Sequence, residues 1–205
     1  MSTNRLEAFS DGVLAVAITL LVLNIGVPSP KADETLAHAL LSQWPHYAAY
    51  VTSFITIGII WMNHHAMIGR LRLADHAIMG LNLLLLMSIA ILPFATALMA
   101  AYLKESKGQH LAAAVYAGAF TVMAIFFTIL QRHILLHKAH MLVSDLSEER
   151  RREILRRSIR GVGPYVVATV VAVFSAYASI AICLAIAVYY ALPIASGGAA
   201  SGSDF

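Results

Sequence analysis

The sequence predicts an all-α integral membrane protein, and three observations lead to this fold class. Of the 205 residues, 60% are hydrophobic and only 12% are charged, whereas a soluble domain carries about 25% charged residues. Five long stretches contain no Asp, Glu, Lys or Arg, and each has the length that a membrane-crossing helix needs. The Lys and Arg residues lie between these stretches, as they do in the loops of membrane proteins. We therefore expect the lipid bilayer, and no nucleic acid, as the surroundings.

The charge-free stretches divide into six predicted spans. Asn4 is expected to cap the first helix, with Glu7 completing a capping box, and Pro45 suits the start of the second. The last stretch is too long for one helix, and its weakly apolar residues 175–179 predict a turn between two helices. The predicted spans form a membrane domain of residues 1–195, followed by a flexible Gly/Ser-rich tail at 196–205; they are residues 5–27, 45–68, 76–103, 109–135, 156–175 and 178–194. Five spans is the alternative.

The distribution of Lys and Arg predicts the orientation. With the N-terminus in the cytoplasm, eleven of the 14 Lys and Arg residues fall in cytoplasmic segments and three fall outside, which follows the positive-inside rule. Six of the eleven are the arginines between Arg150 and Arg160. Ser147 is expected to cap this segment, which then forms the start of the fifth span and contacts anionic lipid headgroups. A voltage sensor would instead carry arginines at every third position within an apolar span.

Polar residues at the cytoplasmic ends of the first and second spans form a predicted layer. A lone acid such as Asp11 is costly inside a membrane and needs a partner. One interpretation is a clamp between helices that fixes the first helix, and the other is a proton or metal site. His64 and His65 point about 100° apart on a helix, so both are not expected to bind one ion, and we predict no metal. The predicted layer consists of Arg5, Phe9, Ser10, Asp11, Trp61, His64 and His65.

One face of the first span is a candidate pore lining. Following helical spacing from Asp11, this face carries aliphatic side chains and one hydroxyl group, at Val16, Thr19, Leu20 and Leu23. Alone, such a stripe is typical of packing. Together with a helix fixed by the polar layer, it favours rings around a symmetry axis that would act as hydrophobic constrictions. A chain this small needs several copies to surround a pore, so cyclic symmetry is expected.

The segment RLEAFSDGVLAVAITLLVLNI resembles the R-x-x-x-F-S-D signature and first helix of the transmembrane protein 175 potassium channels, in particular their bacterial single-repeat members. WMNHH and NLLLLMSIAILPFATAL extend the resemblance over the first three spans. The resemblance implies six spans, a homotetramer and a pore lined by the first helix. It places the constriction at Val16, Leu20 and Leu23 and the filter hydroxyl at Thr19, and makes the polar layer a packing element. Val16 departs from the Ile or Leu that is usual in the family at the narrowest position.

The leading function hypothesis is therefore a potassium-permeable channel of the bacterial inner membrane, with both termini cytoplasmic and modest selectivity for potassium over sodium. The sequence has no TVGYG filter, and it has no motif of an enzyme or a cofactor site. The alternative is a proton-coupled secondary transporter or proton leak pathway that uses the His-rich layer. A third class, a membrane assembly factor, predicts no ion flux.

Overall fold

The computed structural model describes residues 3–29, 34–143 and 146–192, and these residues form helices joined by loops. The predicted tail at 196–205 lies outside the described residues. The helices are α1 (Thr3–Leu20), which continues as a 3₁₀ turn (Leu21–Asn24), α2 (Leu36–Ser42), α3 (Trp44–Ile68), α4 (His76–Ala90), α5 (Leu92–Tyr102), α6 (Gln109–Arg132), which continues as a π-helical turn (His133–His137), a 3₁₀ turn (Ala139–Met141), α7 (Glu148–Ala172) and α8 (Ala176–Ala191).

The helix starts agree with the sequence prediction at two positions and differ at one. Pro45 lies in the first turn of α3, and the Ser147 hydroxyl accepts a hydrogen bond from the Arg150 N–H at the start of α7. The prediction of Asn4 as the cap of α1 is wrong, because the helix already includes Thr3. Glu7 binds another helix and does not close a capping box.

Four segments of the described residues are long and apolar enough to cross a membrane, namely Thr3–Asn24, Trp44–Ile68, His76–Tyr102 and Gln109–His137. The third is interrupted at Ile91, because Pro93 has no N–H for the helical ladder and its ring crowds the preceding turn. The carbonyl of Pro93 accepts a hydrogen bond from Asn24 Nδ2 at 3.1 Å. This bond ties the end of the first segment to the break.

The core is organised around α6, which packs against α4, α5, α7 and α8. Tyr116 and Phe120 of α6 are fully buried. Hydroxyl groups link the helices within this core: Ser53 lies 2.8 Å from Thr96 and 3.1 Å from Tyr116. Such contacts are typical of helices that pack in lipid, where polar groups must find partners inside the protein.

The first helix segment lies at the edge of this bundle. It contacts α3, α4 and α5 on one side. Only 28% of its apolar 18-residue stretch is buried, against 39% to 50% of the corresponding stretches in the three other candidate spans. The helix that the sequence singles out is therefore the most exposed of the four.

Two loops at the arginine-rich end of α7 are joined to each other. An antiparallel bridge pairs Leu71, after α3, with Leu142, after α6, and the Arg72 side chain donates to the Leu142 carbonyl at 2.8 Å. Asp75 caps α4 by accepting from the Ile78 N–H at 2.9 Å, and Lys138 lies 2.8 Å from its carboxylate. The two loops thus form one connected surface.

Candidate functional site: the first helix and its polar contacts

The packed face of α1 follows the helical repeat. Its buried side chains recur every three or four residues, which places them on one side of the helix; they are Leu6, Ser10, Leu14, Ala17 and Leu21, the last at the start of the 3₁₀ turn. This face fixes the rotation of α1 because a turn of the helix about its axis would expose it.

The opposite face of α1 is apolar and unpacked. Val16 is 56% exposed and Leu23 is 74% exposed, and Leu20 and Phe9 are also exposed. An open groove of ≈ 500 Å³ runs beside this face. It is lined by Ala8, Phe9, Gly12, Val13, Val16, Ala17, Leu20 and Ala90. The four residues that the sequence predicts as pore lining therefore share an accessible surface of the single chain.

Thr19 adds a hydroxyl group to this face. It is exposed, and its Oγ1 donates to the Val16 carbonyl of the same helix at 2.9 Å. Because the proton is used inside the helix, the oxygen lone pairs remain free as acceptors. Thr19 can thus offer an oxygen ligand to a cation.

A buried chain of hydrogen bonds joins α1, α4 and α3. Ser10 Oγ donates to the Leu6 carbonyl at 2.8 Å and accepts from Asn82 Nδ2 at 2.9 Å. Asn82 Oδ1 lies 2.7 Å from His64 Nε2. Since an amide oxygen can only accept, Nε2 of His64 carries the proton. Ser10, His64 and Asn82 are all completely buried.

A second set of polar contacts joins α1 and α3 at the surface. Trp61 Nε1 donates to Asp11 Oδ1 at 2.9 Å, and His65 Nδ1 lies 2.7 Å from Glu7 Oε1. The two histidines therefore serve different contacts: His64 is buried with Asn82, while His65 is exposed and pairs with Glu7. The seven residues of the predicted layer include neither Glu7 nor Asn82.

Arg5 and Phe9 are not part of these contacts. Both are exposed, and within the described part of the chain Arg5 has no hydrogen-bond or ion-pair partner. The structure brings together the other five residues of the predicted layer and adds Glu7 and Asn82. The place of Arg5 and Phe9 in the packing layer stays a prediction.

The surface contacts also include potential metal ligands. One ligand atom each of Glu7, Asp11 and His65 lies within 4.8 Å of the others. Each of these side chains already has a protein partner, either Trp61 or one another. That no metal binds here stays a prediction.

Known proteins resemble this chain over nearly its full length. Residues 5–93 match the family model described as the endosomal/lysosomal potassium channel TMEM175. A potassium channel of Chamaesiphon minutus is 42% identical over 193 residues, which cover 93% of this chain and 94% of that protein. The crystal structure of a lysosomal potassium-selective channel TMEM175 homolog from Chamaesiphon minutus matches with a TM-score of 0.83 and 40% identity. It covers 96% of this chain and 98% of that one.

This chain belongs to the TMEM175 family.

Other TMEM175 relatives match shorter parts of the chain. A potassium channel of Streptomyces collinus is 51% identical over 132 residues, which span 64% of both chains. The human endosomal/lysosomal proton channel TMEM175 is 34% identical over 150 residues, which are 30% of its length. The family-model match includes α1, α3 and α4, and therefore both the exposed face of α1 and its polar contacts. The resemblance read from the sequence is confirmed, and the chain is a membrane protein of this family.

Proposed function

We propose that this TMEM175 chain is a potassium-permeable cation channel in which four copies surround a pore lined by α1. The observation that carries the proposal is the exposed apolar face of α1, which lies opposite a face fixed by packing. Two bacterial relatives bear the name potassium channel, and the similar crystal structure is described as potassium-selective. A homotetramer would cover the exposed face and give it a shared axis.

The pore would close by dewetting. Rings of Val16, Leu20 and Leu23 form a hydrophobic constriction that excludes water when it is narrow. Thr19 supplies a ring of oxygens beside the constriction. A single ring of hydroxyl groups replaces little of a hydration shell, so we expect modest selectivity for potassium over sodium.

The polar contacts below the constriction act as a clamp. The Ser10–Asn82–His64 chain and the Trp61–Asp11 bond hold α1 against α3 and α4 at one depth and rotation. If α1 rotated, the aliphatic rings would leave the axis and the buried hydrogen bonds would break. The role of these residues is therefore to position the pore helix.

The proposed membrane arrangement keeps six spans per chain within residues 1–195. The N-terminus lies in the cytoplasm, and the chain resides in the bacterial inner membrane. In the proposal, α7 and α8 form the fifth and sixth spans. α7 begins with its arginine-rich segment, and α8 is apolar but has only 16 residues. An even number of spans puts the C-terminus in the cytoplasm as well.

Proton permeation is the second candidate function. Vertebrate relatives bear the name proton channel, and the His65–Glu7 pair places an imidazole and a carboxylate in contact between α3 and α1. A proton-coupled transporter would show saturating flux that depends on a pH gradient. A channel would show potassium flux without one.

The deciding experiment is flux through the purified chain in liposomes. Potassium and sodium gradients are imposed in turn, and a pH-sensitive dye inside the liposomes reports proton movement. We expect potassium flux that exceeds sodium flux and needs no pH gradient. Potassium flux that requires a pH gradient would contradict the channel proposal and favour a proton-coupled transporter. An absence of any flux would favour the assembly factor.

A further inference from the structure

A groove at the arginine-rich end of α7 has no role in the proposed conduction. It is open, with a volume of ≈ 370 Å³. Its wall is anchored where Arg151 donates to the Leu135 carbonyl at 3.2 Å, which joins α7 to the turn after α6. The lining residues are Leu136, Glu148, Arg152, Leu155, Arg156 and Ile159. Aliphatic side chains and guanidinium groups thus share one surface.

Positive charge is in excess around this groove. Glu148 pairs with Arg152 at 2.5 Å, and Glu153 pairs with Arg150 at 2.6 Å. Arg156 is exposed and has no acidic partner among the described residues. Arg160 lies one turn further on and is likewise exposed and unpaired within that part of the chain. An anion in the groove would therefore meet the guanidinium group of Arg156, which no carboxylate occupies among the described residues.

The apolar part of the groove continues along α7. Ile159, Val166 and Val170 are all exposed, and their spacing of seven and four residues keeps them on one side of the helix, above Arg156. Val170 lies 14 positions after Arg156, which is a rise of about 21 Å along the helix. One leaflet of the hydrocarbon core is about 15 Å deep. A lipid whose headgroup lies at Arg156 could therefore keep an acyl chain against these exposed side chains through the whole leaflet.

We propose that this groove binds an anionic phospholipid, with its phosphate against Arg156 and one acyl chain along Ile159, Val166 and Val170. Charge complementarity favours this occupant, because a guanidinium group can donate two parallel hydrogen bonds to a phosphate group. The exposed aliphatic side chains offer an apolar contact for an acyl chain. The inference goes beyond ion conduction. Lipid binding is measured without flux, so either proposal can fail while the other stands.

The test counts lipids bound to the full chain by native mass spectrometry after release from detergent. The protein is titrated with phosphatidylglycerol and, separately, with phosphatidylcholine. Arg156→Gln removes the unpaired charge of the groove. Arg150→Gln is the matched control, since it makes the same charge change on the same helix at an arginine outside the groove lining. Ile159→Trp fills the groove and leaves every charge in place.

We expect Arg156→Gln to weaken phosphatidylglycerol binding by about fivefold and Ile159→Trp to weaken it measurably by blocking the groove, while Arg150→Gln changes it by less than about twofold. Phosphatidylcholine should bind weakly to all variants. Equal loss in both arginine variants would reduce the effect to diffuse charge attraction and overturn the proposal. Equally tight phosphatidylcholine binding would overturn it too. A third result would also overturn the proposal: Arg156→Gln leaves lipid binding unchanged but alters the oligomeric mass. The groove would then be a contact between copies of the chain.

Discussion

At the scale of single residues, Asn82 is the central polar group of the buried layer. Its amide donates to Ser10 and accepts from His64, so one side chain satisfies groups on two other helices. A buried donor or acceptor without a partner costs about 1–3 kcal/mol. Asn82 therefore connects the helix that carries the candidate pore face to the rest of the bundle.

Replacing Asn82 with Ala should lower the free energy of unfolding by about 2–4 kcal/mol, because it leaves the buried His64 N–H without an acceptor and removes the hydrogen bond that the buried Ser10 oxygen accepts. Unfolding in detergent with increasing SDS, followed by tryptophan fluorescence, measures the change. Asn63→Ala is the control: Asn63 is exposed, and its one side-chain hydrogen bond among the described residues goes to the Ile59 carbonyl of its own helix, so its loss should cost under about 0.5 kcal/mol. Similar losses for both variants would contradict the central role of Asn82.

The Trp61–Asp11 bond can be tested by a double-mutant cycle. Trp61→Phe and Asp11→Ala each remove one partner, and the double variant removes both. We expect a coupling of about 1 kcal/mol in the unfolding free energy, since the acceptor is charged but the contact is exposed. Strictly additive losses would mean that the bond contributes nothing to holding α1 in place.

At the scale of secondary structure elements, α1 is a helix with two different faces. The buried face meets α3, α4 and α5, and the exposed face holds Val16, Thr19, Leu20 and Leu23. In a bilayer the hydrophobic effect does not distinguish a lipid-facing stripe from a pore-facing one. Only substitutions that change flux can separate the two.

Leu23→Ala and Val16→Ala should each raise potassium leak through liposomes, because a smaller side chain widens a hydrophobic constriction and eases its wetting. Val22→Ala is the matched control. Val22 is also exposed and adjacent to Leu23, but it lies outside the predicted lining face. Unchanged flux in both pore-face variants, or an equal rise in the control, would argue that this face contacts lipid.

The loop contact between Asp75 and Lys138 predicts a pH dependence of stability. The pKa of Asp75 is lowered to about 2, first because the carboxylate accepts the Ile78 N–H and then because Lys138 lies beside it. The unfolded pKa is about 3.9, so this contribution is full above about pH 4 and is lost as the pH falls toward 2. Asp75→Asn should therefore be less stable than the wild type at pH 7, with the difference shrinking below pH 4. A difference that stays constant down to pH 2.5 would contradict this origin.

At the scale of the whole molecule, the exposed face of α1 is an apolar surface that the rest of the described chain does not cover. Its apolar side chains need either lipid or other copies of the chain, and a closed ring of copies would bury them around one axis. We expect the purified protein to have about four times the chain mass of 22.1 kDa by light scattering after correction for detergent. A stable monomer or dimer that still conducts potassium would rule out the four-fold pore.

The proposed tetramer also predicts how α1 variants fail. Asp11→Ala loosens the clamp in every copy at once, so we expect it to lower the yield of tetramer more than it alters the preference for potassium over sodium. Size-exclusion chromatography and the liposome assay together measure both quantities. Normal tetramers with a reversed ion preference would instead place Asp11 in the conduction path.

The sequence by itself determined the membrane class, the approximate positions of the four segments that could cross a membrane, and the face of α1 that is exposed in the single chain. These features follow from charge-free length and from the 3.6-residue repeat, which act along the chain and need no knowledge of neighbours. Even the break at Ile91 has a local cause in Pro93, although the sequence prediction kept 76–103 as one span.

Only the tertiary structure decided the partners of the polar side chains. Glu7 binds His65 across two helices and forms no cap, His64 is buried with Asn82, and Arg5 has no partner within the described part of the chain. These contacts join residues 18 to 72 positions apart. They depend on the relative depth and rotation of packed helices, which the composition of each helix does not specify.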